Sequence, residues 1–233
     1  MTTETPSNLS AQQLCDAKHD AKWVDDRVPL PWVMQYIQEH RAEMGERLLD
    51  VGCGPGNYTI PLAQEGFDMT GYDVSPVALQ KLQSRLRTQD LPIHLVQGSF
   101  HENLPFDDGA FDSALSIQVL NYGMWADIQH AIQEVRRVLR DGGYFLWRVR
   151  SKNNDNHKKQ QRINDVGVTA FDLEGDQIGW INHQFAGDEM HLLAKQNDFE
   201  VVLGPFETKE SRHPKPGVRA HWNAVYRKQD SAG

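Results

Sequence analysis

LLDVGCGPGNYT, residues 48–59, is the stretch from which the fold can be read. Leu48 to Val51 is a short apolar run that holds one acid, Asp50. Gly52, Gly54 and Gly56 follow, and a helical pattern then runs from Tyr58 to Gln64 before Gly66 stops it. A strand leading through a glycine turn into a helix is a cofactor site in many doubly wound folds, because glycine accepts φ > 0 and lets a ligand approach the backbone. The spacing is G-x-G-x-G. The dinucleotide fingerprint needs a third glycine where Asn57 stands, and Pro55 lacks the N–H that a pyrophosphate would use. The phosphate loop G-x-x-x-x-G-K-[ST] is absent.

Outward from this stretch the chain alternates. Phe67 to Val74 reads as a second strand, and Ser75 caps a helix with Val77, Leu79, Leu82 and Leu86 as its stripe. Ile93 to Val96 and Phe111 to Ile117 are further strands, followed by a periodic helix from Ile128 to Leu139. Asp141-Gly142-Gly143 is a turn, and Tyr144 to Val149 is a fifth strand. Such alternation means βαβ units and a parallel sheet, and apolar runs fit strands covered on both faces. Arg150 to Gln161 reads as a polar loop, and 166–184 as short strands broken by glycines. Ala186 to Asn197 is helical, with strands at Phe199 to Phe206 and Ala220 to Tyr226. Upstream, helices are expected over Ser10 to Asp26 and from Pro31 to a stop at Gly45.

Bulk properties narrow the function. The 233 residues are 39% hydrophobic and 24% charged, enough for a sizeable core. A net charge of −8 disfavours a phosphate backbone as partner, so nucleic acid is a poor default substrate. Cys15 and Cys53 show no metal-ligand spacing, and no metal site is expected. The first residues lack a basic start followed by an apolar run, and no stretch reaches the ~18 apolar residues of a membrane span. The expectation is a cytoplasmic protein without a membrane partner.

Asp73 in GYDVS ends the second strand. A carboxylate there can accept both hydroxyls of a ribose, a feature shared by dinucleotide and adenosylmethionine sites. LLDVGCGPGNYT, then GYDVS, then LPFDDGAFD (104–112) and EVRRVLRDGGYFL (134–146) together resemble the small-molecule, type 11 group of class I S-adenosylmethionine-dependent methyltransferases. The resemblance covers residues 46–150 well and the last third loosely. It implies one α/β domain with a doubly wound, mostly parallel sheet of seven strands, the last antiparallel. It also implies an N-terminal helical lid over 1–45 and a methyltransferase domain over 46–233, with an acceptor-side insertion around 150–185.

The resemblance further implies roles. Asp50 orients the glycine loop and the methionine amino group; Gly52, Cys53 and Gly54 pack against the methionine and ribose; Asp73 holds the ribose and Val74 lies along the adenine. Ser99 stands where the family has an aspartate for the adenine amino group, a departure that weakens the bond. Phe100 stacks beside the base or belongs to the core, while Ser116 and Ile117 line the methionine side. Cys53 is read as packing rather than as a nucleophile.

The expected reaction is methyl transfer from S-adenosylmethionine to a small-molecule acceptor by in-line displacement. It needs a base only if the acceptor is protonated. Acceptor-side candidates are Asn121, Tyr122, His183, His191 and Trp180, with Tyr122, His183 and His191 taken as the catalytic set. Trp23, Arg27 and Trp32 belong to the lid. Arg148, Arg150, Lys152, Lys158, Lys159 and Arg162 form a basic cluster read as a solvated loop. The alternatives are a nicotinamide-dependent oxidoreductase, a non-catalytic adenosylmethionine-binding protein and, least favoured, an RNA methyltransferase. Neither the acceptor nor the oligomeric state is legible.

Overall fold

The computed structural model describes residues 10–20, 28–87, 89–154, 160–164, 168–172, 180–211 and 217–230; for 17–20, 160–164 and 168–172 it describes the backbone alone. In chain order the first strands are β1 (Arg47–Val51), β2 (Asp68–Asp73), β3 (Ile93–Gln97), β4 (Phe111–Ile117) and β5 (Leu139–Arg150). Then come β6 (Gln160–Asn164), β7 (Val168–Asp172), β8 (Ile181–Gln184), β9 (Phe199–Ser211) and β10 (Val218–Lys228). The helices are α1 (Ala11–Asp20), α2 (Pro31–Glu39), α3 (Arg41–Met44), α4 (Thr59–Gln64), α5 (Pro76–Leu86), α6 (Trp125–Val138) and α7 (Gly187–Gln196).

Seven strands make one sheet in the order β3-β2-β1-β4-β5-β10-β9. β1 to β5 pair in parallel, and β10 runs antiparallel to both β5 and β9. The seven-stranded α/β sheet with its antiparallel last strand is as expected. The order reverses between β1 and β4. Outside their C-terminal ends lies the crevice where open α/β sheets bind ligands.

Adjacent residues of each central strand go to opposite faces. Leu49, Val51, Phe145 and Trp147 pack under α6 and α7, against Ile128, Ile132, Val135, Met190 and Leu193. Leu48, Leu115 and Leu146 pack under α2, α3 and α4, against Val33, Ile37, Met44 and Leu62. The caps are local. The Ser75 hydroxyl accepts from Ala78 N at 3.1 Å, Met124 N donates to Asp127 at 2.8 Å, and Ala186 N donates to Glu189 at 2.7 Å.

Several boundaries differ from the sequence reading, among them three in the large sheet and its helices. α6 begins at Trp125 because Asp127 closes its first turn. β5 absorbs the Asp141-Gly142-Gly143 turn as an irregularity in its pairing with β4, Gly142 taking φ 70°. β9 runs on past Phe206 to Ser211 although it contains Pro205. It is an edge strand, where a missing N–H is tolerated, and a register shift absorbs the Gly204-Pro205 step.

A second, antiparallel sheet has the order β6-β7-β8. It is stitched to the C-terminal edge of the large sheet at two places. His183 N donates to Asn121 O at 2.7 Å and Gly123 N to Ile181 O at 3.0 Å; Phe185 N donates to Arg150 O at 2.8 Å. The N-terminal segment reaches the same edge. Leu30 N donates to the Tyr58 hydroxyl at 3.0 Å, Trp32 meets Phe206 edge-on at 5.5 Å, and Ser75 Oγ donates to Asp16 at 2.5 Å.

Candidate cofactor and acceptor site

The glycine loop owes its shape to hydrogen bonds that use up its own amides. Gly52 N and Cys53 N both donate to Tyr72 O, at 2.7 and 3.1 Å. Gly54 N donates to Asp73 Oδ2 at 2.8 Å, Pro55 has no N–H, and Gly56 N returns to Cys53 O at 3.0 Å. Gly52, Gly54 and Gly56 all have positive φ, at 77°, 53° and 86°. A Cβ on Gly52 would stand 2.4 Å from both Val119 methyls, so the loop rests directly on the end of the β4 segment. Successive donors from Gly52 to Gly56 are thus held by protein acceptors. They form no nest for a pyrophosphate.

Two buried carboxylates flank the loop. Asp50 is 3% exposed and accepts from the Thr59 hydroxyl at 2.7 Å. Burial raises its pKa to about 7; nearby Asp73 adds to the rise, and the Thr59 bond opposes it. Asp73 takes one backbone donor on each oxygen, Gly54 N and, at 2.9 Å, Ser75 N. A carboxylate offers about four lone-pair sites, so two amides do not exhaust it. The Cys53 thiol is buried and pushed well up by burial, and it sits where any side chain on Gly71 would be, 3.0 Å from a Cβ there. It therefore packs as a small apolar group.

The structure brings the remaining cofactor candidates to this edge with differing partners. Val74 is half-buried beside Asp73. The Ser99 hydroxyl accepts from His101 N at 3.2 Å, while Ser99 O accepts from the Tyr72 hydroxyl at 3.0 Å. Phe100 is half-buried, edge-on to His101 at 4.5 Å and packed on the core. The Ser116 hydroxyl is buried and donates to Val51 O at 3.2 Å, tying β4 to β1, and Ile117 points to the opposite face.

On the acceptor side, Tyr122 is half-buried, its ring edge-on to Trp180 at 4.4 Å, its carbonyl 3.3 Å from His101 Nε2. His183 is fully buried between Trp125 and Phe185, with Nε2 3.3 Å from Glu189 Oε1. His191 lies exposed on α7, a helix whose buried residues face the core. Asn121 is 2% exposed and its Nδ2 has no acceptor. Trp23, Arg27, Lys158 and Lys159 lie outside the described residues, as does the side chain of Arg162.

The structure corrects one sequence reading and adds a residue. Arg148 is no part of a solvated loop: it is 1% exposed within β5. Its signal in the sequence was a single charge inside the apolar run YFLWRV. Gln118, just past β4, went unnoticed; it holds φ 61°, a left-handed conformation uncommon for a residue with a side chain. Among the described residues, no group of three or more His, Cys, Asp or Glu side chains is placed to hold a metal.

A doubly wound sheet with this strand order, an amide-saturated glycine loop and an acid ending β2 defines a nucleoside-binding α/β domain of the methyltransferase kind. Residues 48–143 match the family described as "Methyltransferase domain". The chain is 31% identical over 168 residues to the putative methyltransferase YqeM of Bacillus subtilis, covering 71% of this chain and 64% of that protein. It is 30% identical over 169 residues to 24-methylenesterol C-methyltransferase 2 of rice, covering 70% and 43%. A SAM-dependent methyltransferase structure from Methanosarcina mazei shares the fold with a TM-score of 0.69 at 20% identity, over 88% of this chain and 100% of that one. Magnesium protoporphyrin IX methyltransferase of Synechocystis, solved with bound SAM, does so with a TM-score of 0.59 at 15% identity, over 85% and 77%. The match makes residues 48–143 a methyltransferase domain, on a fold shared with S-adenosylmethionine-dependent methyltransferases. It spans between 45% and 64% of the length of the first curated relatives it matches.

Proposed function

We propose that the protein transfers a methyl group from S-adenosylmethionine to a small-molecule acceptor, leaving S-adenosylhomocysteine. The observation that supports this most is the loop from Gly52 to Gly56, whose amides are already held by Tyr72, Asp73 and Cys53. What remains at the edge is buried carboxylate, suited to a ribose diol and an ammonium rather than to phosphates. In this reading Asp73 would hold the ribose hydroxyls and Asp50 the methionine ammonium. Gly52, Cys53 and Gly54 would lie against the methionine and ribose, Val74 and Phe100 along the adenine, Ser99 at its amino group, and Ser116 and Ile117 beside the methionine.

When bound, the cofactor supplies an electrophilic methyl on a sulfonium, already a good leaving group. The chain's own task is to align the acceptor and exclude water. Residues 1–45 as a lid and 150–185 as an acceptor-side insertion fit that task, because Leu30, Trp32 and Phe185 all attach at the C-terminal edge of the sheet. Tyr122 is the acceptor-side residue that this reading favours, since its loop joins β4 to the small sheet. The His183 amide ties that loop down through Asn121 O, and His191 is given no role. Relatives named for a sterol and a porphyrin support a small-molecule acceptor. Among the described residues no helix is long and apolar enough to cross a membrane.

The test is a metabolite screen for release of S-adenosylhomocysteine, with calorimetry on S-adenosylhomocysteine and NADH in parallel. Micromolar binding of the first and none of the second is expected. NADH binding in its place sinks the proposal, and tight binding with no turnover across the screen makes the protein a binding module.

Asp50 makes the site pH-dependent. A buried carboxyl raised from 3.8 to about 7 binds its proton more tightly when folded, so the stability it contributes is lost as pH rises from about 4 through 7. Asp50→Asn, which still accepts from Thr59, is expected to melt above the parent at pH 8, the gap closing by pH 5. Affinity for S-adenosylhomocysteine should fall in the parent, but not in the variant, as pH drops from 7.5 to 6, because only the ionised carboxylate attracts the ammonium. Melting curves that stay parallel from pH 5 to 8 would show that Asp50 is ionised throughout.

A further inference from the structure

Arg148 is a buried cation with an unfilled donor. Its side chain is 2% exposed. A guanidinium carries five N–H donors in a fixed fork. Four are used: Nη1 reaches Asn223 Oδ1 at 2.9 Å and Thr208 Oγ1 at 3.2 Å, and Nη2 reaches Glu210 Oε1 at 2.9 Å and His221 Nδ1 at 3.0 Å. The fifth, Nε, is buried with no acceptor. A buried donor left unmade is costly, and native proteins seldom retain one without a use.

Charge points the same way. The one carboxylate on Arg148, Glu210, is 51% exposed, and burial lowers the guanidinium's pKa in spite of it. His221 adds no counter-charge. Arginine only donates, so His221 Nδ1 is bare and its proton sits on Nε2, 3.1 Å from the Gln118 amide, which must present its oxygen. Burial, with Arg148, Arg150 and Arg219 around it, drives the His221 pKa down to about 3. The cluster's carboxylate thus lies half in solvent, and none reaches Nε.

The sheet register fixes where this lies. Asp50 pairs with Leu115 and Leu115 with Leu146, so the three share a face. Arg148 is two residues beyond Leu146 and on that same face, ~10 Å from β1 by two strand spacings. Its carbonyl accepts from Gln118 N at 2.8 Å, and Tyr58, at the end of the glycine loop, is close enough to act on its charge.

We propose that Arg148 is a carboxylate-reading residue at the methyl-transfer edge, taking an anionic oxygen of the bound ligands on Nε. This rests on the methyltransferase reading. The carboxylate belongs either to the acceptor or to the methionine end of the cofactor, and the two sources separate experimentally. S-adenosylhomocysteine and 5′-methylthioadenosine differ by the amino-acid end. Acetate and benzoate, each against its amide, probe the acceptor side of protein loaded with S-adenosylhomocysteine.

If the cofactor's carboxylate is read, Arg148→Gln weakens S-adenosylhomocysteine about tenfold or more and leaves methylthioadenosine unchanged, the loss expected for one charged hydrogen bond. If the acceptor's is read, the loaded parent prefers acetate or benzoate to its amide about tenfold and Arg148→Gln removes the preference. Should Arg148→Gln fail to fold, Arg148→Lys keeps the charge without the fork and is expected to show a partial loss of the same selectivity. Thr208→Val removes one partner of Arg148 without touching Nε. The proposal is overturned if Arg148→Gln changes neither selectivity, or if Thr208→Val changes them equally. A parent that binds no S-adenosylhomocysteine overturns the methyltransferase reading, and this proposal with it; a parent that binds it, with selectivity indifferent to Arg148, overturns this proposal alone.

Discussion

Asp73→Ala is expected to reduce affinity for S-adenosylhomocysteine about a hundredfold and to lower the melting temperature by about 5–10 °C. Two mechanisms combine. The first is the loss of charge-assisted bonds to the ribose, each worth about 1.5–3 kcal/mol. The second is internal to the chain. Gly54 N and Ser75 N both donate to this carboxylate, so alanine leaves two buried donors without an acceptor at once. The loop then loses the tie that fixes Gly54 beside β2, and the site is damaged in shape as well as in chemistry. Asp73→Asn separates the two: its Oδ1 can still accept one amide, so stability should recover more than affinity does. Calorimetry on each variant, with circular dichroism to establish that it is folded, decides the matter. An unchanged dissociation constant in folded Asp73→Ala removes Asp73 from the cofactor site.

Gly52→Ala is expected to cost about 3 kcal/mol of folding free energy. The conformation at φ 77° disfavours any side chain by about 1–2 kcal/mol. The added Cβ also falls 2.4 Å from both γ-methyls of Val119, a contact that forces β4 and the loop apart. The two contributions separate in a double-mutant cycle. Val119→Ala removes the methyls but leaves the backbone strain, so Gly52→Ala/Val119→Ala should be at least as stable as Gly52→Ala alone, although Val119→Ala by itself destabilises. Denaturant unfolding of the four proteins measures the coupling. Strict additivity would show that Val119 does not bear on the loop. Because the displaced loop carries Cys53 and Gly54, affinity for S-adenosylhomocysteine should fall with stability in Gly52→Ala.

The fold was legible because its signals are local or periodic. The apolar runs of β1 and β5 declared strands buried on both faces, and Ser75-Pro76 declared a helix start. The glycines at 52, 54 and 56 declared a tight turn between a strand and a helix. GYDVS placed Asp73 at a strand end, and the structure puts it at the C-terminal end of β2, the strand beside β1. That much follows from chain order, since a parallel sheet with short crossovers has few arrangements open to it.

Other features depend on residues distant in sequence, and only the tertiary structure decided them. That the loop's amides are already taken rests on Tyr72 and Asp73, some twenty residues on. Arg148 read as part of a polar loop because its neighbours from Ser151 onward are polar; its burial comes from the β9–β10 hairpin, which brings Thr208, Glu210, His221 and Asn223 against it from 60 to 75 residues away. Gln118 carries no mark in the sequence, because glutamine has no propensity for its φ of 61° and its N–H partner, Arg148 O, is 30 residues away. His183 and His191 looked alike as lone histidines. One is enclosed by Trp125 and Phe185 and the other is exposed on α7, a difference set by which face of each element the core covers. Sequence alone determined most of the elements, their order and the glycine loop, because those rest on short-range patterns. The charge and hydrogen-bond state around Arg148 came from strand pairing, because there a side chain's environment is supplied by strands that meet only when the sheet closes.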